Sequence, residues 1–579
     1  MNELNTRPKQ KNLAAFITVA VCGALMIAAI VISILNPQGS GNMPGFDQHG
    51  RTHYNDMVYE RIDVEAIIKD IDELCDMIAK DTSYSDQSAV FKRIDASLGD
   101  YYTMSALIQI KFFSDPSNEE YSSEYNYLES FSAQLSDKIY ELMDAIALSS
   151  HRSAYERNFF GLGYFNDWKP HDYSDEVVAM MEEETRITNK YLEEIADPSV
   201  TLSSGKTVKL SEVDFSSITQ QQYDDIIKAY NQKFSEMYAE IVKVRLEIAQ
   251  KTGVTYAEIA HENLNRDYSS EDVDKYLEGI ALNIVPLYYE LQYAPETESD
   301  FVDTLTSFSA LKNGAYNMGG EISEAFDYMF EYGLYDMSYS ETKSAISFQT
   351  YIQNYNSPFV FVSPMCDRSD LMTFSHEFGH FVDSYYNLEM GITIDNTEIA
   401  SQAMALILPL YAHGQLTDGD YDYLKAGLCD VLETYLQTGF IGLFEQKVYR
   451  LAPEEVTADN LNRLAGECAV EMGIDEETAY ILSTFWFETQ HIFIAPMYTV
   501  GYSVSCDVAL QVLEAELKKP GKGGADAYMN VIDRDINKSF TEDLKISGFA
   551  NPFDPTRLSD TAEFIKDAWE GKFNKLSRK

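Results

Sequence analysis

The chain has 579 residues, of which 45% are hydrophobic, and its 93 acidic and 44 basic side chains give a net charge of −49. This apolar share is typical of a globular protein and excludes a mainly disordered chain. The large negative charge repels phosphate backbones, so the composition argues against a nucleic-acid partner. The composition does not identify any oligomeric partner, so the oligomeric partners are unknown.

An uncharged apolar run extends from Leu13 to Leu35. At about 1.5 Å per residue, it is long enough to span a bilayer core of roughly 30 Å. Three basic residues precede it within residues 1–12 and no similar cluster follows, so the positive-inside rule places the N-terminus in the cytoplasm and the rest of the chain outside the cell. A cleaved signal peptide is the alternative, but its apolar core is usually about 7–15 residues long. We therefore expect a single-pass anchor in the cell membrane.

Residues 36–55 are rich in Gly, Pro and Asn and lack apolar periodicity, which predicts a stalk between the membrane and the folded body. Beyond them, apolar residues recur at intervals of three and four in the segments 64–78, 128–146 and 234–248. This spacing predicts helices with one buried face. The body is therefore predicted to be mainly α.

Strand signals are few. Thr201–Leu210 places a Ser-Gly turn between two short runs and predicts a hairpin. A second hairpin is predicted from Ala345–Ile352 and Pro358–Ser363, so the helical body should carry a small β-hairpin or sheet. Near the C-terminus, Lys518–Gly524 (KKPGKGG) contains the Gly and Lys of a phosphate loop without its spacing, and is predicted to be a surface loop.

The segment His376–His380 has the sequence His-Glu-Phe-Gly-His. On a helix, residues i and i+4 share a face, so both imidazoles can bind one metal ion while Glu377 lies beside them. Ser369 and Asp370 are suitable N-cap residues for this helix. The alternative, two histidines on an ordinary helix, requires a chance match to a rare pattern. The motif therefore predicts one Zn²⁺ ion per chain.

A catalytic zinc site needs a third protein ligand and an open position for water. Glu398 lies in residues 395–402, which are predicted to begin a second helix that packs against the first. Because the chain is rich in acidic residues, spacing alone does not separate Glu398 from Glu389 and Asp395.

These motifs resemble those of the M3 family of zinc oligopeptidases, and of its oligoendopeptidase F branch in particular. Its members combine HExGH with a downstream Glu-x-x-Ser, which is matched here by Glu398–Ser401. Gly333–Asp336, followed by the strand Pro358–Val362, is similar in order to the family's substrate-binding edge strand. Asp543–Phe553 resembles the family's closing segment. The match covers about the C-terminal half of the chain.

The resemblance implies a zinc endopeptidase that cuts short unfolded peptides and is built on a large helical body with a small sheet near the zinc helix. The body would then divide into an N-terminal helical region, residues 56–300, and a zinc peptidase region, residues 301–579. The implied zinc ligands are His376, His380 and Glu398, with Glu377 as the general base.

The resemblance also implies residues that contact the peptide. Four would hold its backbone as an added strand: Phe359, Val360, Phe361 and Val362. Others, opposite the metal, would bind substrate and stabilise the oxyanion: His491, Tyr498, Gly501 and Tyr502.

The sequence departs from the family pattern at Asp383, where a third His often follows HExGH, and at Ala405, where a Glu is common. The gaps from His380 to the third ligand and from His491 to Gly501 are also shorter than usual. For His491, a hydrogen-bonded core histidine is the alternative. For the whole chain, the alternative is a non-enzymatic cell-surface protein that binds peptides or a partner and keeps a relic zinc site, although such a protein has no need of the Glu in HExxH.

Overall fold

The structure is a computed structural model that describes residues 49–166, 168, 174–291, 302–387, 394–412, 418–535 and 538–573. The predicted transmembrane helix, Leu13–Leu35, lies outside these residues, as do the predicted cytoplasmic tail and most of the stalk. Within the described ranges, no helix combines the length and the apolar character needed to cross a membrane.

The described chain is mainly helical, with two small sheets, as the sequence predicts. In chain order the helices are α1 (Val64–Ala79), α2 (Tyr84–Ser114), α3 (Glu119–Leu148), α4 (Arg152–Tyr155), α5 (Asp175–Ala196), α6 (Gln220–Thr252), α7 (Tyr256–Asn263), α8 (Ser270–Gly279), α9 (Val285–Glu290), α10 (Thr304–Met318), α11 (Gly320–Glu331), α12 (Asp370–Tyr386), α13 (Ile394–Tyr411), α14 (Asp418–Val448), α15 (Ala458–Glu471), α16 (Glu476–Phe485), α17 (His491–Ile494), α18 (Val500–Lys518), α19 (Gly523–Ile532), α20 (Phe540–Ser547) and α21 (Arg557–Trp569). The strands are β1 (Ser199–Thr201), β2 (Thr207–Lys209), β3 (Tyr335–Asp336), β4 (Phe348–Ile352) and β5 (Ser357–Phe361).

The chain forms two compact units, each assembled from separate stretches of sequence. Of the described residues, unit 1 holds 174–291 and 432–503, and unit 2 holds the others. The division falls within α14 and within α18. The domain boundaries at residues 56, 300 and 301 stay a prediction.

In unit 1, α6 confirms the helix predicted over 234–248. It begins with a capping box between Thr219 and Gln222 and ends at Gly253, whose φ of 74° is a left-handed conformation that glycine adopts without strain. The helix packs against α5 and α15. The predicted hairpin is also present, because β1 and β2 pair antiparallel with Val200 opposite Val208.

In unit 2, α1 and α3 confirm the other two predicted helices, and their predicted apolar faces are largely buried in one core. The second predicted hairpin is present as the antiparallel pair β4–β5, with Thr350 opposite Phe359. A third strand, β3, pairs with β5 in parallel. Next in the chain, α12 packs against β5, α10 and, most extensively, α13. This packing fixes the orientation of the helix that carries HExxH.

Candidate active site

The start of the HExxH helix differs from the predicted cap. Ser369 makes no side-chain bond to the first turn of α12. The buried Asp370 carboxylate instead accepts the backbone N–H groups of Met365, at 2.7 Å, and Cys366, at 3.0 Å. Cys366 has a φ of 57°, which is unusual for a residue with a side chain. Asp370 therefore fixes the turn that leads into α12 rather than capping the helix.

The three predicted zinc ligands lie together in unit 2. One potential ligand atom from each of His376, His380 and Glu398 lies within 4.8 Å of the other two. Each histidine Nε2 is 3.9 Å from Oε2 of Glu398. Among the described residues this is the only such group of three His, Cys, Asp or Glu side chains. Two imidazoles and one carboxylate are the donor set of many catalytic zinc sites.

A glycine allows the two ligand-bearing helices to approach closely. A Cβ at Gly379 would lie 2.6 Å from the carbonyl oxygen of Ala400 and 2.7 Å from Cα of Ser401. Real Cβ atoms do not approach that closely, so α12 and α13 reach this distance because position 379 has no side chain. The Gly of HExGH thus brings α13, which carries Glu398, against the two histidines.

The Glu-x-x-Ser pair has a direct structural relationship. The Ser401 hydroxyl lies 3.2 Å from Oε2 of Glu398 and can donate to it, and both residues are buried. Of the rivals for the third ligand, Asp395 is buried outside the group of three, and its backbone carbonyl accepts the Ser505 hydroxyl at 2.7 Å. Glu389 lies outside the described residues. The geometry therefore favours Glu398 over Asp395.

Glu377 is 6% exposed, and its Oε2 has no hydrogen-bond partner within the described part of the chain. A buried carboxylate oxygen without a partner is costly in a purely structural role. It is well suited to accept a proton from a water molecule or a substrate. Of the features at this site, the buried Oε2 atom of Glu377 fits a catalytic metal centre most clearly.

Burial is the largest cause of the pKa shifts of His376, Glu377, His380 and Glu398. It lowers the pKa of His376 to about 3, helped by the neighbouring His380, and lowers the pKa of His380 to about 4. The His376 side chain remains 32% exposed, yet both imidazoles are neutral at pH 7. Burial raises the pKa of Glu398 to about 7 against the hydrogen bond from Ser401, and burial together with Glu398 raises the pKa of Glu377 well above its usual range. Neutral imidazoles and destabilised carboxylates are what a divalent cation stabilises, so these residues fit zinc.

One support of α12, a turn beyond His380, is not predicted from the sequence. Asp383 forms a bidentate ion pair with Arg534, in which Nη2 lies 2.9 Å from Oδ2, and the two side chains are only 5% and 3% exposed. Asn387 adds a bond of 2.8 Å to the same carboxylate. Tyr528 donates to the carbonyl of Gly379 at 3.2 Å. Asp383, which stands where the family often has a His, therefore pairs with Arg534. No local sequence pattern links these two distant residues.

The predicted substrate strand requires correction. Phe359, Val360, Phe361 and Val362 are all 0% exposed, and β5 is the central strand of its sheet in the order β3-β5-β4. Val360 lies opposite Tyr335 on one side and opposite Gln349 on the other. Because both edges are paired, this strand cannot bind a peptide as an additional strand. The prediction that these four residues bind the substrate backbone is wrong.

The predicted residues opposite the metal, His491, Tyr498, Gly501 and Tyr502, all lie in unit 1, and the three with rings form one aromatic cluster. The His491 and Tyr498 rings stack with centroids 4.9 Å apart, and Tyr502 meets His491 edge-on at 5.9 Å. His491 is 1% exposed, and neither ring nitrogen has a hydrogen-bond partner among the described residues. Burial lowers its pKa to about 4, so the ring is neutral at pH 7. Among the described residues the ring contacts aromatic side chains and no hydrogen-bond partner, and the catalytic role of His491 stays a prediction.

Two backbone N–H groups of the glycine-rich segment Lys518–Gly524 already donate to a side chain of the protein and so are not free to bind a phosphate. The Glu516 carboxylate accepts the N–H groups of Gly521 and Gly524, the latter at 2.9 Å. An internal anion therefore takes the place that a bound phosphate would need, as expected for a surface loop.

The described chain is mainly helical and carries a His-His-Glu donor set within one unit. Residues 54–170 match the family model of the peptidase M3 N-terminal domain. No curated protein sequence gives a significant match. The resemblance to M3 peptidases is thus confirmed by a part of the chain where sequence motifs were not recognised.

Solved structures show the same fold. An X-ray structure of a protein assigned as oligoendopeptidase F is 21% identical, with a TM-score of 0.69 over 90% of this chain and 99% of that one. PZ peptidase A with an inhibitor is also 21% identical, with a TM-score of 0.68 over the same shares. Oligoendopeptidase F from Enterococcus faecium is 15% identical, with a TM-score of 0.53 over 89% of this chain and 98% of that one. The chain therefore has the fold of oligoendopeptidase F-like M3 peptidases over nearly its whole described length.

Proposed function

We propose that this protein is a zinc metalloendopeptidase that hydrolyses short unfolded peptides. The observation that carries the proposal is the approach of His376, His380 and Glu398 to within 4.8 Å of one another, beside the buried Glu377 carboxylate. A zinc ion held by these three residues supplies a Lewis acid that polarises a peptide carbonyl and lowers the pKa of a water ligand toward about 7.

The protein's own groups then perform the proton transfers. Glu377 accepts a proton at Oε2 from the attacking water and delivers it to the nitrogen of the leaving amine. Ser401 orients the Glu398 carboxylate toward the two imidazoles by its hydrogen bond. Arg534 holds Asp383, which lies one turn beyond His380 on α12, so that both histidines keep their orientation.

We assign oxyanion stabilisation to His491, Tyr498 and Tyr502. A neutral imidazole donates one N–H, and a tyrosine hydroxyl donates one O–H, to a carbonyl oxygen as it gains negative charge. Support comes from the family resemblance, the packing of the three rings against one another and the two nitrogens of His491, which have no hydrogen-bond partner among the described residues.

We also propose that the protein is anchored in the cell membrane by residues 13–35, with its body outside the cell. The support is the uncharged apolar run and the basic residues before it. Fractionation of cells expressing the full chain should recover it with the membrane, and external protease should digest the body. Recovery of a mature protein that begins near Gly39 would favour signal-peptide cleavage instead.

Zinc content and peptide cleavage test the proposed enzyme. The purified full-length chain should hold one zinc ion and cut a quenched fluorescent peptide of about ten residues, and a chelator should abolish cleavage. Glu398→Ala should lose zinc, whereas Asp395→Ala should keep it. A chain that binds zinc but cleaves no peptide of a diverse library would point to the alternative, a surface protein that only binds peptides.

A further inference from the structure

Buried charged side chains in unit 1 hold the backbone of one short stretch of the chain, residues 491–502, here called the His491 segment. This segment carries His491, Tyr498 and Tyr502. Three charged residues from outside the segment contact it: Arg245, Arg266 and Glu445.

Arg245 lies on α6 and is 1% exposed. Its Nη1 donates to the carbonyl oxygen of Ile492 at 2.6 Å, and its Nη2 donates to that of Phe493. Glu184 accepts its Nε at 2.7 Å and fixes the guanidinium plane. The two carbonyls directly follow His491, so Arg245 fixes the helical turn from which the imidazole extends.

Arg266 and Glu445 hold the two sides of a strained residue. Met497 has a φ of 65°, a left-handed conformation that its side chain disfavours. The Glu445 carboxylate accepts the Met497 N–H at 2.8 Å. Arg266 donates to the Met497 carbonyl at 2.6 Å and to the Tyr498 carbonyl at 3.2 Å. Such a backbone conformation persists when its surroundings over-determine it, as these bonds do.

The imidazole itself has no comparable bonds. Neither nitrogen of His491 has a hydrogen-bond partner in the described part of the chain, and its ring is held by stacking on Tyr498. Stacking permits sliding, whereas the charged bonds to the backbone do not. The position of both rings therefore depends on the backbone beneath them.

We propose that Arg245, Arg266 and Glu445 are positioning residues for His491 and Tyr498 in peptide hydrolysis. This inference rests on the proposed function. Stabilisation alone does not explain the arrangement, because buried ion pairs are often no more stabilising than apolar residues of the same volume. Their shared target, the backbone of the His491 segment, is explained by a need to hold that segment in one conformation.

The test compares full-length Arg266→Met and Arg266→Lys with Asn462→Ala. Asn462 bonds to Asn231 and Trp486 in the same unit and to no residue of the His491 segment. Arg266→Met should lower kcat about 10–100-fold with unchanged zinc content and KM, because small misplacements of catalytic groups cost that much. Arg266→Lys should lie between wild type and Arg266→Met, since an ammonium group lacks the planar fork that reaches two carbonyls. Asn462→Ala should lower the melting temperature and leave kcat near that of the wild type.

Amide hydrogen exchange tests the positioning role without a measurement of activity. Amides of residues 497–499 should exchange faster in Arg266→Met than in wild type or Asn462→Ala. An unchanged kcat in Arg266→Met, or an equal loss in Asn462→Ala, would overturn the inference. If the wild-type protein cleaved no peptide, the proposed function would fail. Unchanged hydrogen exchange in Arg266→Met would refute the positioning role, whatever the activity.

Discussion

Asp383 and Arg534 are 151 positions apart in the chain, yet they form a nearly fully buried bidentate ion pair one turn beyond His380. The pair ties the HExxH helix to the segment that follows α19. Without Arg534, α12 would hold an uncompensated negative charge in the interior.

Arg534→Met should therefore destabilise the fold by about 3–5 kcal/mol, because it leaves the Asp383 charge buried without a partner. Chemical denaturation measures this loss. The control is Lys538→Met, which breaks a partly exposed ion pair with Glu542 and should leave the unfolding free energy close to the wild-type value. Combining Arg534→Met with Asp383→Leu should recover most of the loss, and no recovery would show that the charge is not its cause.

Gly379→Ala should cost about 1–3 kcal/mol and weaken zinc binding, because the new Cβ would force α12 away from Ala400 and Ser401. Gly466→Ala in α15 is the matched control. No atom lies within 4 Å of a Cβ there, so it should stabilise the protein by about 0.5–1 kcal/mol. Thermal unfolding and zinc titration of both variants check this. Equal behaviour of the two would show that the close approach of α12 and α13 does not matter.

Glu377→Gln should lower kcat by about 10²–10⁴ while zinc content and unfolding free energy stay at wild-type values or above. The residue lies outside the ligand group, and the amide has nearly the same volume as the carboxylate. Steady-state kinetics, metal analysis and denaturation are measured on the same preparation. Retained turnover would remove Glu377 from the mechanism.

Zinc affinity should fall about tenfold per pH unit as the pH drops from 7 to 5. The metal-free protein has a Glu398 pKa of about 7, so protons compete with zinc for its carboxylate throughout this window. His376 and His380, with pKa values of about 3 and 4, stay deprotonated there and add no further protons. Competition titrations with a zinc-specific dye measure the slope. If the zinc affinity fell about a thousandfold per pH unit, both histidines would also be taking up protons in this window.

His491→Ala and Tyr502→Phe should lower kcat and kcat/KM together, each by about 10²–10³, with little change in KM. A bond made mainly in the transition state does not alter affinity for the ground state. The control is Tyr480→Phe, which alters an exposed ring on α16 and should leave the kinetics unchanged. A rise in KM alone would assign His491 and Tyr502 to substrate binding.

The sequence predicted those parts of the fold that depend on local patterns. Apolar spacing located α1, α3 and α6, and alternation and turn residues located both hairpins. HExxH with Glu398 predicted the three side chains that lie together as a possible metal-binding group. The central position of β5 escaped prediction because its second neighbour, β3, is only two residues long and shows no alternation. Arg534 escaped because no local pattern links it to Asp383. Packing between distant segments determines both features.

The separate stretches that make up unit 2 also set the order in which its parts become available during synthesis. The proposed ligands emerge from the ribosome within a short span, residues 376–398, but Tyr528 and Arg534 follow only after all of α14–α18 has been made. A nascent chain that ends before residue 534 has the complete donor set and yet leaves Asp383 without its counter-charge. Truncation before residue 534 should therefore produce a chain that contains His376, His380 and Glu398 but lacks the ion pair that braces the helix carrying both histidines.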